Sequence, residues 1–174
     1  MSQVTGRSRR IAITFAFLFA ATCASGAAAG DRTAPNCPLD LARGGPARLE
    51  QFRGKVVYVD FWASWCVPCL ASFPFMERMN QDLAPRGLVI LGVNMDARPE
   101  DAQHFLARHP VSFPVALSGN ADCARKFGVG GMPSSYLIDR KGVIRSVHVG
   151  FRPGEAAALR SLVEHTLAEQ GTRS

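Results

Sequence analysis

Val56-Val57-Tyr58-Val59-Asp60-Phe61-Trp62-Ala63-Ser64-Trp65-Cys66-Val67-Pro68-Cys69 is the stretch whose reading decides the fold. It opens, after Gly54-Lys55, as an apolar β-branched run, the pattern of a strand buried on both faces. It closes on two cysteines separated by two residues. Beyond them Leu70, Phe73, Met76, Met79 and Leu83 recur at helical spacing. A buried strand therefore delivers two thiols to the first turn of a helix that runs to about Leu83. Unpaired N–H groups and the helix dipole favour a thiolate at Cys66, lowering its pKa below the roughly 8.5 of a free thiol. Cys69 falls one turn in, on the same side. The spacing predicts an exposed, nucleophilic Cys66 and a buried, resolving Cys69.

Asp60 interrupts the apolar strand. A buried acid is costly unless it is paired or has a task. It reads either as a working group or as a side chain that reaches a solvent edge or a salt bridge. Zinc is a poor reading of the dithiol, because a zinc site normally takes four Cys or His ligands. No second close cysteine pair exists, and His104, His109, His148 and His165 fall on separate predicted elements. A structural disulfide and a metal carrier using Cys66 and Cys69 are the alternatives to redox chemistry.

Together these residues resemble the thioredoxin superfamily. Val59-Asp60-Phe61-Trp62-Ala63 and Trp65-Cys66-Val67-Pro68-Cys69 carry the likeness, with Pro74 at the position of a helix-kinking proline. Gly131-Met132-Pro133-Ser134 resembles the family's cis-proline loop. Arg53-Gly54-Lys55 and Leu137-Ile138-Asp139 point to the exported TlpA/ResA-like subgroup. The likeness covers about residues 35 to 170. It implies a thioredoxin-like α/β fold, with a mixed central sheet flanked by helices on both faces and an extra helix and strand inserted before the cis-proline loop. It further implies that Asp60 lies behind Cys69 and relays its proton. Met132 and Pro133 are implied to pair with substrate, with Trp65 on the active-site rim. The implied activity is thiol–disulfide exchange with protein substrates, with no metal or organic cofactor. A membrane thiol transporter is the implied electron donor, and cytochrome c maturation or oxidase assembly the implied setting. Direction is open: a reductase is expected, with a disulfide oxidase or isomerase as the alternative. A thiol peroxidase would carry a threonine ahead of its reactive cysteine, where this chain has Ser64-Trp65.

On the N-terminal side, Arg7, Arg9 and Arg10 precede an apolar run from Ile11 to Ala21, then small residues to Ala29. This is the pattern of a signal peptide over residues 1–29, with an uncleaved membrane anchor as the alternative. The mature domain is then 30–174, periplasmic or otherwise exported, and expected to be a monomer. Removing the three leader arginines from 20 basic residues leaves 17 against 14 acidic ones. That excess is too mild for a nucleic-acid binder.

The rest of the chain reads as short alternating elements. Residues 30–36 form a flexible lead, Cys37–Leu41 an edge strand, and Gly44-Gly45-Pro46 a turn. Leu88–Asn94 is a second buried strand, parallel to the first. Pro99 opens a helix with Glu100 and Asp101 in its first turn. Phe113–Leu117 is a strand and Asp122–Phe127 a short helix. Ser135–Asp139 and Val143–Val149 make a hairpin, and Gly154–Glu169 closes the fold. Phe73, Phe105 and Phe127 are expected in the core, with Trp62 packed there too. Cys37 and Cys123 either pair or pack separately as small apolar side chains.

Overall fold

The computed structural model describes residues 32–118 and 120–169. The expected signal segment, residues 1–29, lies outside the described residues. In chain order the elements are β1 (Pro38–Leu41), β2 (Gly45–Arg48), β3 (Val56–Trp62), α1 (Val67–Leu83), β4 (Leu88–Asn94), α2 (Pro99–Arg108), β5 (Val115–Ser118), α3 (Ala121–Phe127), β6 (Ser134–Ile138), β7 (Ile144–Val149) and α4 (Ala156–Glu169). Among the described residues the strands form one mixed sheet in the order β2-β1-β5-β4-β3-β6-β7. β3 pairs parallel with β4 and antiparallel with β6.

β3 is buried at every position, Asp60 included, as the apolar residues on either side of that acid require. Its even-numbered residues Val56, Tyr58 and Trp62 join a core with α1, α2 and α4. Val57, Val59 and Phe61 point the other way, into a core with β1 and α3. Helices thus cover both faces, and the inserted α2 and β5 are both present. Gly92 of β4 sits opposite Asp60 in the register. A Cβ there would come within 3.2 Å of Trp62 Nε1 and 3.3 Å of Phe113, so glycine leaves room for the indole.

Three expectations need correction. Gly45 and Pro46 are not only a turn: they belong to β2, which pairs with β1 at the sheet edge. A proline is tolerated there because an edge strand leaves one side of its backbone unpaired. The strand expected from Cys37 begins at Pro38. The lead is fastened where it is described: the N–H of Ala34 bonds to Gly142 O at 2.8 Å, and Ile144 N–H to Arg32 O at 2.8 Å. Among the described residues no helix is long and apolar enough to cross a membrane.

Candidate active site

The end of β3 and the start of α1 place the dithiol. Cys66 is the N-cap of α1 and Pro68 follows in its first turn, where the missing N–H costs nothing. Cys66 and Cys69 form a disulfide with a Cα separation of 5.2 Å. The N–H of Cys69 donates to Cys66 Sγ at 3.3 Å. No acidic side chain lies in the first turn of α1 to oppose a thiolate. Cys69 is fully buried, as expected. Cys66 was expected to be exposed but is 6% exposed in this disulfide form, because its sulfur turns towards Cys69 and the core cluster that holds both. The exposed surface around it is Trp65 at 67% and Val67 at 79%, with Leu70 one turn on.

The shelf beneath α1 is aromatic. Phe73 stacks edge-on against Trp62 at 4.7 Å between ring centroids, and Phe105 of the inserted α2 lies 5.0 Å from both rings. Trp62, Phe73, Phe105 and Phe127 are core, as expected.

Asp60 is 1% exposed and lies on the sheet face that α1 covers. The solvent-edge reading is therefore excluded. Its Oδ1 accepts the Ser135 hydroxyl at 2.6 Å, and its Oδ2 is buried with no partner. Burial pushes the carboxyl up from 3.8 to about 7, and the Ser135 hydrogen bond pulls the other way.

The Met132–Pro133 peptide bond is cis, as the loop motif suggests. Ser134 Oγ donates to Gly131 O at 2.7 Å, and Gly150 N–H donates to Pro133 O at 2.8 Å, so both sides of the loop are held. Met132 packs against the same cluster that contains Cys66 and Cys69.

Sequence reasoning missed a second support. Asp96, just beyond β4, accepts the Ser64 N–H at 3.0 and 3.1 Å and the Ser64 hydroxyl at 3.0 Å. Asn94 donates to Asp96 at 2.8 Å, and Asn120 donates to the Asn94 carbonyl at 2.8 Å. This chain of bonds pins the loop that leads into Cys66. Its signal was the pair of polar residues Asn94 and Asp96 at the end of an apolar strand.

Cys37 and Cys123 are also bonded, with a Cα separation of 5.4 Å. They join the segment before β1 to α3. Among the described residues no cluster of three or more His, Cys, Asp or Glu is placed to hold a metal ion.

A dithiol at a helix N-terminus, a cis-proline loop and a mixed sheet covered on both faces define a thioredoxin-fold oxidoreductase. The sequence matches the redoxin family over residues 28–163, and the chain belongs to that family. It is 32% identical over 118 residues to the thiol-disulfide oxidoreductase ResA of Geobacillus thermodenitrificans, covering 68% of each chain. The crystal structure of a thiol:disulfide interchange protein assigned as DsbE, from Chlorobium tepidum, is similar at 42% identity and a TM-score of 0.76, covering 79% of this chain and 96% of that one. A thioredoxin family thiol:disulfide interchange protein from Chlorobium tepidum TLS matches at 26% identity and a TM-score of 0.71, covering 81% and 99%. This chain is a thiol–disulfide oxidoreductase of the ResA/DsbE type.

Proposed function

We propose that this chain is an exported reductase of protein disulfides, with residues 1–29 directing export. A membrane thiol transporter supplies electrons, and the substrates are cysteine pairs of proteins in cytochrome c maturation or oxidase assembly. The two electrons are carried by the reduced Cys66 and Cys69 thiols and are given up as the Cys66–Cys69 bond forms, so neither metal nor organic cofactor is required. Once reduced, Cys66 attacks a substrate disulfide as a thiolate and releases one substrate thiolate. Cys69 then gives its proton to Asp60 and attacks Cys66 Sγ. The bond between Cys66 and substrate breaks, and the second substrate thiolate leaves with the electron pair. Trp65 and the Met132–Pro133 segment present the docking surface for the substrate chain.

The observation that carries this reading is a fully buried second thiol in the helix that covers a buried carboxylate with one free oxygen. A group ionising at about pH 7 is suited to take a proton near neutral pH. The test is to trap substrate with Cys69→Ala in the native cell envelope and identify what reductant releases, alongside the dithiol's reduction potential. Trapped thiol proteins of cytochrome or oxidase assembly, with a potential near thioredoxin's, support the proposal. A strongly oxidising potential, near about −120 mV, would reverse the direction.

A further inference from the structure

Beyond the dithiol and its acid, a buried hydroxyl is hydrogen-bonded to the Asp60 carboxylate itself. Ser134 and Ser135 are adjacent but face opposite sides of the sheet. Ser134 holds the cis-proline loop through Gly131 O. Ser135 lies directly opposite Asp60 across the β3–β6 pair, so both side chains share the face that α1 covers. It is 5% exposed, and its proton is spent on Asp60 Oδ1 at 2.6 Å.

That bond makes the two carboxylate oxygens unequal. Oδ1 is satisfied, while Oδ2 is buried with no hydrogen-bond partner. An incoming proton therefore goes to Oδ2, the atom that lacks one. Tyr58 lies two residues before Asp60 on the same face. Burial, and then the Asp60 charge, hold its phenol well above the usual range, so it stays protonated and does not compete for the proton.

We propose that Ser135 is the positioning residue of the resolving step: it holds Asp60 by Oδ1, leaves Oδ2 as the single acceptor for the Cys69 proton, and sets the pH at which the acid works. The proposal rests on Asp60 being that acceptor. In the step, the S–H bond of Cys69 breaks and its proton forms an O–H bond at Oδ2. The Cys69 sulfur bonds to Cys66 Sγ, and the substrate leaves as thiolate. Ser135 keeps its own proton throughout.

Other titratable groups face this row and have to be separated from it. They are Tyr58 on β3, Cys69 on α1 and His148 on β7. His148 is opposite Ser135 in the register, and its Nε2 lies 3.3 Å from Glu155 Oε2 without hydrogen-bond alignment. Arg152 stands beside Glu155 at the outer end of the row.

The test is single-turnover reaction of the full chain carrying Cys23→Ser, reduced at Cys66–Cys69 with the Cys37–Cys123 bond intact, with 5,5′-dithiobis(2-nitrobenzoate) between pH 5.5 and 9. The first coloured thiolate reports attack by Cys66, and the second reports attack by Cys69. Ser135→Ala leaves both carboxylate oxygens unpartnered, so the inflection in the second release moves up by about one pH unit, with the first release unchanged. Ser135→Thr keeps a hydroxyl and restores the wild-type profile, and His148→Gln leaves the inflection in place. An unmoved inflection in a folded Ser135→Ala overturns the proposal, as does an inflection that follows His148→Gln. If Ser135→Ala does not fold, Ser135→Val, which also lacks the hydroxyl, decides by the same shift. Asp60→Asn separates the two levels. If it leaves the second release unchanged, Asp60 is not the acceptor. If it abolishes the inflection while Ser135→Ala does not move it, only the role of Ser135 falls.

Discussion

At the scale of single residues, Asp60 carries the largest electrostatic cost among the groups of this site. The unfolded chain ionises it near 3.8 and the folded chain near 7, because burial disfavours the charge. Between those values the folded state holds a proton that the unfolded state has lost. The stability tied to this group is complete below about pH 4 and declines as pH rises to about 7. Asp60→Asn keeps the shape and removes the charge. In denaturant titrations it is expected to match wild type in unfolding free energy near pH 4, and to exceed it at pH 8 by about 2–4 kcal/mol. The same substitution slows resolution of the mixed disulfide near neutral pH. Turnover unchanged across the pH range would leave Asp60 with a structural role.

At the scale of elements, the chemistry belongs to the β3–α1 junction. Cys66 gains from the unpaired N–H groups of the first turn, whereas Cys69 is enclosed by apolar side chains. Alkylation of reduced protein at mildly acidic pH is expected to label Cys66 selectively, and a peptide map with Cys69 labelled first would contradict the assignment. The inserted α2 supports the same junction through Phe105. Phe105→Ala leaves a cavity under Trp62 and Phe73 and is expected to cost about 3–5 kcal/mol in chemical denaturation. A cost within about 0.5 kcal/mol, the range of surface substitutions, would mean that α1 does not lean on the insertion.

At the scale of the whole molecule, the Cys37–Cys123 bond spans a sequence separation of 86 residues and ties the sheet's outer strands to α3. In the chain-entropy view such a loop contributes on the order of 4 kcal/mol. Replacing both residues by alanine is expected to lower stability by up to that amount while leaving Cys66 and Cys69 active. A thiol count on denatured, unreduced Cys66→Ser/Cys69→Ser protein is expected to find neither Cys37 nor Cys123 free. Two free thiols there would refute the pairing. The bond places no constraint on the dithiol directly, but α3 leads into the cis-proline loop, so its loss is expected to weaken substrate docking more than the intrinsic reactivity of Cys66.

The sequence by itself determined the features that are written within a few neighbouring residues. The apolar run of β3, the spacing of Cys66 and Cys69, the helical period of α1 and the Met-Pro of the loop are all local patterns, and each appears where it was read. Asp60 was visible as an acid in an apolar strand, but its partner was not. Ser135 lies 75 residues away and meets Asp60 only because β6 pairs with β3 in one register. Ser64 and Asp96, 32 residues apart, meet because β3 and β4 end side by side. The edge strand β2 was hidden by its Gly-Pro, whose local signal is a turn, until pairing with β1 overrode it. Cys37 and Cys123 carried no distance in the sequence. Tertiary structure decided these because strand register is fixed by burying both faces of the sheet at once, a condition no local window contains.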